Sequence, residues 1–214
     1  MPSPPCVREW TVDSSPTTRV LVIACAALVR ELRVVLDQLT SRGVCFETEF
    51  LPAPLHNRPE RIPGAVRAII DARAHEFDRV LVGYADCGTG GLLDAALEGT
   101  GAVRLPGAHC YEFFASSAVF SAWHEDELGT FYLTDFLARH FDALVIGGLG
   151  LDRHPELRDM YFGNYTRLLL LTQSDDPELV LLGRAAALRL GLAFEHHHVG
   201  LEPFSHAVQS TLAI

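Results

Sequence analysis

The chain contains no lysine, so all 17 of its basic residues are arginines. This absence excludes a Schiff-base lysine and the lysine of a Walker-type phosphate-binding loop. Positive charge is also scarce, because 27 acidic residues give the chain a net charge of -10. An acidic surface repels phosphate backbones and anionic lipid headgroups, so we expect neither nucleic acid nor a membrane as a partner.

Long apolar runs are absent too, and none reaches the roughly 18 residues of a membrane-spanning helix. Residues 1–18 have no apolar core of the kind found in secretory signals, and we interpret them as a flexible polar tail. We therefore expect a soluble, cytoplasmic protein. In a reducing compartment, cysteines that share a site indicate metal binding or catalysis more than disulfide bonds.

The order of apolar segments predicts one α/β domain over residues 19–214. Short β-branched runs typical of buried strands alternate with amphipathic segments typical of helices. This alternation predicts a doubly wound, mainly parallel sheet flanked by helices. The predicted strands are residues 19–25, 44–51, 77–88, 102–107, 167–173 and 193–200.

The middle of the chain gives a weaker pattern. Residues 128–141 are compatible with a helix entered from a loop. Residues 141–151 fit a strand and a buried helix equally well by the spacing of their apolar positions. The pattern predicts a later helix over residues 177–192, with Asp176 as its cap.

Three cysteines follow predicted strands, at the edge where open parallel sheets bind ligands. Cys25 ends the first strand, Cys87 lies in a glycine-rich turn after the third, and Cys110 follows the fourth beside His109. Thiolates suit zinc or an iron–sulfur cluster, and the residues leave both open. A cysteine can also pack as a small hydrophobe, which applies above all to Cys25. We predict a metal site made by these three cysteines, with His109 either as a fourth ligand or as a residue of the adjoining pocket.

The glycine-rich turn around Cys87 has a second interpretation as an anion site. The backbone N–H groups of Gly88, Thr89 and Gly90 would then hold a phosphate or carboxylate of a cofactor at the start of the next helix. The glycines are equally compatible with a plain tight turn.

Four further side chains are candidates for catalysis on a small-molecule substrate. His56 lies in a proline-rich loop at the same sheet edge, where it could bind metal or carry a proton, and Glu112 is a candidate base. Tyr132 and Tyr165 occur in segments dense in aromatic and hydroxyl groups and could line a pocket. A surface position for His56 and core packing for the tyrosines are the alternatives.

The tract His196–His198 looks like a metal-binding sequence, but it falls in a predicted strand. Alternate residues of a strand face opposite sides, so at most two of the three imidazoles could share a site. We interpret the tract as mainly structural.

Six blocks of the sequence, VIACAALVRELR, LPAPLHNRPERI, GYADCGTGG, GAHCYEFFA, GTFYLTDF and MYFGNY, occur in this order. Together they resemble an uncharacterised bacterial and archaeal family, the domain-of-unknown-function family number 1638. The resemblance covers nearly the whole chain after the tail. It implies that Cys25, Cys87 and Cys110 match the cysteines of the family pattern. Many members have an acid before the last cysteine, where this chain has His109.

Members of that family are often encoded beside corrinoid proteins and corrinoid-dependent methyltransferases, which implies a link to one-carbon metabolism. The first function we consider is therefore a metal-binding protein that serves corrinoid-linked methyl transfer, with a corrinoid protein or methyltransferase as partner. The second is a self-sufficient metal-dependent hydrolase or lyase of a small anionic substrate. The third is a non-catalytic binding or scaffold module. The residues leave open whether the chain is an enzyme.

Overall fold

A computed structural model describes residues 18–40 and 43–213, and the predicted tail lies outside them except for residue 18. The chain divides into two compact units, one of Met1–Cys110 with Ser205–Ile214 and one of Tyr111–Phe204. Each unit contains an all-parallel sheet flanked by helices, so the predicted α/β class and parallel strands are confirmed. The strands are divided between two sheets, where we predicted one. The domain boundary at residues 19–214 stays a prediction.

The sheet of the first unit has the strand order β2-β1-β3-β4. Its strands are β1 (Thr18–Cys25), β2 (Val44–Leu51), β3 (Arg79–Gly83) and β4 (Val103–Arg104), and its helices are α1 (Val29–Thr40), α2 (Ile62–Arg73) and α3 (Leu92–Leu97). The side chains of β1 from Val20 to Cys25 are fully buried, because strands of a parallel sheet are covered on both faces.

Helix α1 packs on this sheet through the face that its sequence predicts. Leu32, Val35, Leu36 and Leu39 are all buried, at the three- and four-residue spacing that places side chains on one side of a helix. Burying four such side chains contributes roughly 6–12 kcal/mol of hydrophobic free energy before entropy is counted. The chain then turns at Gly43, whose φ of 78° favours glycine.

A close approach of β1 and β3 sets the edge where the candidate site forms. Ala24 pairs with Gly83 in the parallel register. A Cβ atom at Gly83 would lie 2.8 Å from the Cβ atom of Ala24, so a larger residue would push the strands apart. The chain therefore leaves both strands side by side, with Cys25 ending one and Tyr84 following the other.

The second unit holds a three-stranded sheet of order β5-β6-β7. Its core strand β6 (Arg167–Thr172) carries four leucines, residues 168–171, that are fully buried. The other elements are α4 (Cys110–Ala115, which starts at the unit boundary), α5 (Ser117–Asp126), β5 (Thr130–Thr134), α6 (Asp135–Arg139), a π-helical turn (Asp142–Gly147), α7 (Leu157–Phe162), α8 (Glu178–Leu190) and β7 (Ala193–His198).

The weak middle segment departs from its prediction. Residues 128–141 begin with strand β5 instead of a helix, and the chain becomes helical at α6. The Thr134 hydroxyl accepts a hydrogen bond from the N–H of Leu137, which caps α6 and marks the change from strand to helix. Of the two alternatives for residues 141–151, the helical one is observed.

The last helix, α9 (Glu202–Leu212), was not predicted. Val208 and Leu212 are buried, and the side chain of Arg79 donates a hydrogen bond to the carbonyl of Leu212. None of the helices within the described residues is both long and apolar enough to cross a membrane.

Candidate metal centre

Four side chains that the sequence singles out meet at the carboxyl edge of the first sheet. Cys25 ends β1, His56 lies in a 3-10 turn (Ala53–Asn57) after β2, Cys87 follows β3, and Cys110 begins α4. The Sγ atoms of Cys87 and Cys110 are 2.9 Å apart. One ligand atom each of His56, Cys87 and Cys110 lies within 4.8 Å of the others, a spacing that could hold a metal ion.

Cys25 lies directly beside this group. Its Sγ atom is 3.4 Å from the Nδ1 atom of His56 and accepts a hydrogen bond of 3.3 Å from the N–H of Ala27. Cys25, Cys87 and Cys110 are all free cysteines. The three predicted thiols therefore converge on one edge, as the common position of their strands led us to expect.

The turn that carries Cys87 is organised by Asp86. Its carboxylate accepts hydrogen bonds from the Thr89 hydroxyl at 2.7 Å and from the N–H groups of Gly90 and Gly91 at 3.0 and 2.8 Å. The hydrogen bond from Gly91 makes the largest contribution to a lowered pKa of Asp86. The anion that this turn binds in the structure is thus the carboxylate of Asp86.

Cys87 adopts a left-handed backbone conformation, with a φ of 50°. This conformation costs an ordinary L-residue roughly 1–2 kcal/mol and is usually taken by glycine. Its N–H group donates a 2.9 Å hydrogen bond to the carbonyl of Ala108, and the N–H of Asp86 donates one of 3.1 Å to Gly107. These two bonds join the Cys87 turn to the segment that leads into Cys110.

His56 is oriented from two directions. Its Nδ1 atom lies 3.3 Å from the carbonyl oxygen of Ala53 as well as 3.4 Å from Cys25 Sγ. Its ring stacks on Tyr84 with a centroid distance of 6.5 Å. Burial lowers the pKa of His56, but hydrogen bonds with the sulfurs of Cys25 and Cys87 outweigh burial and raise the pKa to about 10.

The pKa values of the two adjacent thiols, Cys87 and Cys110, are shifted in opposite directions. The hydrogen bond from Cys110 lowers the pKa of Cys87 to about 5, against the effect of burial and with help from His56. The same hydrogen bond, together with burial, raises the pKa of Cys110 well above its ordinary value. Without a metal ion, the pair therefore carries one thiolate and one thiol, because two adjacent negative charges repel each other.

Tyr84 is a site residue that the sequence interpretation did not select. It is fully buried directly after β3, and its hydroxyl has no hydrogen-bond partner among residues 18–40 and 43–213. Burial raises the pKa of Tyr84, followed by the charge and the proximity of the Cys25 sulfur, which lies near the hydroxyl without the geometry of a hydrogen bond. Its position in the run Tyr84–Cys87, at a strand end that faces a predicted site, was the signal that could have found it.

The predicted ligand His109 is not part of the close group in the described part of the chain, where His56 supplies the imidazole. His109 is exposed at the residue before α4. The donors of Thr89 and Gly90 are engaged by Asp86. A cofactor-binding role of Gly88, Thr89 and Gly90 stays a prediction.

The other candidate catalytic residues belong to the second unit. Glu112 is half-buried in the first turn of α4. Tyr132 is buried, and its ring stacks on Tyr111 at a centroid distance of 5.4 Å. Tyr165 packs in the core cluster of this unit, with its ring 5.7 Å from that of Phe162. Catalytic roles for Glu112, Tyr132 and Tyr165 stay predictions.

The histidine tract on β7 alternates as a strand requires. His196 Nε2 and His198 Nδ1 lie 3.0 and 3.1 Å from the Thr172 hydroxyl, whereas His197 Nε2 lies 2.8 Å from a carboxylate oxygen of Glu195. Two of the three imidazoles thus share one partner and the third faces another, in agreement with the expected alternation.

The remaining cysteines differ from the three in the cluster. Cys45 lies within β2 and is disulfide-bonded, so it is not a thiol, although a reducing compartment would favour one. Cys6 lies outside the described residues.

Comparison with known proteins identifies the family. A family model described as "Protein of unknown function (DUF1638)" matches residues 50–208. The chain belongs to this family. Neither the curated proteins nor the solved structures gave a match. The matched range includes His56, Cys87 and Cys110, the three residues of the close group, and begins after Cys25.

Proposed function

We propose that this member of the family binds one zinc ion through His56, Cys87 and Cys110 and serves corrinoid-linked methyl-group metabolism. The observation that carries the metal assignment is the approach of their ligand atoms to within 4.8 Å of one another. Two cysteines and one histidine form a ligand set that catalytic zinc sites use, with a fourth position for water or substrate.

The charge balance of the cluster supports a dication. Cys25 and Tyr84 are fully buried, Cys87 and Cys110 are partly buried, and the exposed His56 is the cation that faces them. Without metal, one thiol of the Cys87–Cys110 pair keeps its proton. A divalent ion would compensate a second thiolate, because a coordinated thiol loses its proton.

The hydrogen bonds of His56 also fit a ligand role. A metal-binding imidazole commonly uses one nitrogen for the ion and donates the other N–H to a carbonyl or another acceptor. The Nδ1 atom of His56 has the Ala53 carbonyl and the Cys25 sulfur within 3.4 Å. We therefore assign Nε2 to the metal and Nδ1–H to these two acceptors.

The sulfur spacing favours a single ion over a cubane iron–sulfur cluster. The thiolates of a cubane bind different irons and so stand farther apart than two ligands of one ion. The 2.9 Å between Cys87 and Cys110 is close even for ligands of a single zinc. Zinc bound here would supply a Lewis acid that activates a thiol or polarises a small substrate.

Metal analysis of the purified protein tests the first part of this proposal. We expect about one zinc per chain in the wild-type protein and less than about a tenth of that in Cys87→Ser, Cys110→Ser and His56→Ala, since oxygen or methyl groups replace soft ligands poorly. His75→Ala, at an exposed histidine of the same unit, is the matched control and keeps its zinc. A metal-free wild-type protein, or equal metal in all four variants, contradicts the assignment.

The corrinoid part of the proposal rests on the family resemblance and has its own test. Methylcobalamin and a small thiol are incubated with the zinc-loaded wild-type protein and with His56→Ala. A thiolate that attacks the methyl group forms a thioether and leaves cob(I)alamin, which is followed by its absorbance. Faster demethylation by the wild-type protein supports the proposal. Equal demethylation rates for the two proteins would contradict the corrinoid role but not the metal site. Hydrolase or lyase activity on small anions is then the function to assay.

A further inference from the structure

We propose that Cys87 and Cys110 also form a reversible disulfide, so that the metal centre is a redox-controlled site. The two free thiols have their sulfur atoms 2.9 Å apart. Disulfide formation needs only this pair and stands independently of the proposed metal. Metal release on oxidation is the further consequence, and that part rests on the proposed function.

The distance between the sulfurs lies midway between two bonded states. A disulfide bond is ~2.05 Å long. Two thiolates on a tetrahedral zinc, each at about 2.3 Å from the ion, stand ~3.8 Å apart. From the 2.9 Å in the structure, the sulfurs reach either state by moving about 0.9 Å relative to each other. Rotation about the side-chain bonds covers such a distance.

The backbone holds the two cysteines at this spacing. The N–H groups of Asp86 and Cys87 donate hydrogen bonds to the carbonyls of Gly107 and Ala108. Ala108 is two residues before Cys110, so the chain segments that carry both thiols are joined directly beside them. The entropy of bringing the two thiols together is therefore already lost in the folded protein, which favours an intramolecular bond over a bond to an external thiol.

The contacts of Cys25 differ from those of Cys87 and Cys110, so the proposed disulfide joins only the latter two. Its sulfur contacts the Nδ1 atom of His56 and the N–H of Ala27. It is the last residue of strand β1, caps the 3-10 turn Ala26–Leu28 and is fully buried. Oxidation should therefore join Cys87 to Cys110 and leave Cys25 as a thiol.

A low-molecular-weight disulfide is the oxidant class that balances the step. The Cys87 thiolate attacks one sulfur of the oxidant, and the other sulfur leaves as a thiolate. The Cys110 sulfur then attacks the mixed disulfide, its proton leaves, and the second oxidant thiolate is released. Two electrons pass from the cysteine pair to the oxidant, which is reduced to two thiols. A zinc ion would lose two of its three proposed ligands in this step.

Peptide mapping of metal-free protein treated with oxidised glutathione tests the disulfide. We expect a Cys87–Cys110 crosslink in the wild-type protein that dithiothreitol reverses, with Cys25 still alkylated as a thiol. Cys25→Ser should form the crosslink at a rate within about twofold of the wild type. Cys87→Ser and Cys110→Ser should instead retain a glutathione adduct on the remaining cysteine. A stable glutathione adduct on wild-type Cys87, or crosslinks through Cys25, overturns the proposal.

Zinc release is measured in a second experiment, so that disulfide formation and the metal assignment are tested independently. Zinc-loaded protein is titrated with oxidised glutathione, and the released ion is followed with a chromogenic chelator. Release in parallel with the crosslink supports redox control. A crosslink in a protein that never held zinc removes the metal assignment and leaves the disulfide. Full zinc retention with a complete crosslink overturns the proposal that oxidation empties the site. Circular dichroism of each variant shows that its fold is intact.

Discussion

The Nδ1 nitrogen of His56 lies 3.4 Å from the Sγ atom of Cys25, which is not a member of the close group of His56, Cys87 and Cys110. Such a neighbour fixes the ring and increases its basicity without touching the ion. In the proposed zinc site, this relationship makes Cys87 and Cys110 the binding pair and Cys25 a supporting residue.

Cys25→Ser should therefore weaken zinc binding without removing the site. Loss of a residue that orients a ligand typically costs about 10- to 100-fold in metal affinity. At saturating zinc the variant should still bind about one ion per chain. Competition with a chelating dye measures both quantities. If Cys25→Ser instead loses all binding, as we expect of Cys110→Ser, then Cys25 is a fourth ligand and the site is closed.

The position of the three cysteines could be predicted from the sequence because strand ends are marked by composition. Strand β2 is observed with the predicted bounds, and β1 differs from its prediction by one residue. Once the strands are parallel, their carboxyl ends share an edge, so Cys25 and Cys87 must lie near each other. No knowledge of side-chain packing is needed for that step.

The histidine could not be assigned in the same way. His109 precedes Cys110 in sequence, but consecutive residues at the start of a helix point in directions about 100° apart. His56 reaches the sulfurs through the path of the loop after β2, where two 3-10 turns, Ala53–Asn57 and Pro59–Arg61, set the direction of the chain. The apolar residues of such proline-rich turns have no regular spacing, so the path of the chain cannot be predicted from it.

The boundary between strand β5 and helix α6 is a second feature that the sequence pattern could not predict. Five residues of strand run directly into helix α6, so their apolar positions merge into one stretch that also fits a helix. The boundary depends on the hydroxyl of Thr134, which accepts a hydrogen bond from Leu137. A threonine is common in both strands and caps, so its presence alone does not mark the change.

Tyr84→Phe should stabilise the metal-free protein. The Tyr84 hydroxyl is buried and lacks a hydrogen-bond partner within the described residues, a situation that costs roughly 1–3 kcal/mol. Phenylalanine keeps the ring and its stacking on His56 while it removes this cost. We expect the free energy of unfolding, measured with urea, to rise by about 1 kcal/mol.

Tyr161→Phe is the matched control for Tyr84→Phe. The Tyr161 side chain is exposed, so the same change should alter stability by less than about 0.5 kcal/mol. A loss of stability in metal-free Tyr84→Phe would mean that the hydroxyl makes a favourable contact with the sulfur cluster.

Replacing Cys87 by glycine and by alanine should separate backbone strain from thiol chemistry. Both variants lack the thiol, so both should lose zinc. Glycine adopts the φ of 50° freely, whereas alanine pays the cost of a left-handed conformation. We expect Cys87→Gly to be about 1 kcal/mol more stable than Cys87→Ala by urea unfolding without metal. Equal stabilities would show that the turn relaxes to another conformation when the thiol is removed.

The stability of the metal-free protein should show a plateau in its pH dependence, set by His56 and Cys87. The pKa of Cys87 falls from 9.0 to about 5 on folding, so its contribution is complete above pH 9.0 and is lost as the pH falls toward 5. The pKa of His56 rises from 6.5 to about 10, so its contribution is complete below pH 6.5 and is lost as the pH rises toward 10.

Between pH 6.5 and 9.0 the gain from Cys87 and the loss from His56 offset each other, which gives the plateau. Below it the unfolding free energy should decline because Cys87 becomes protonated. Above it the decline has two sources, since His56 loses its proton and the raised pKa of Cys110 makes ionisation of that thiol harder in the folded chain than in the unfolded chain. Urea unfolding across this range measures the profile, and the ultraviolet absorbance of the thiolate follows Cys87 directly. His56→Gln should replace the plateau by a rise in stability up to pH 9.0, since glutamine has no proton to lose and the gain from Cys87 is then not offset. A variant that keeps the plateau between pH 6.5 and 9.0, with an unchanged thiolate titration, would show that the imidazole and the sulfurs do not form an ion pair.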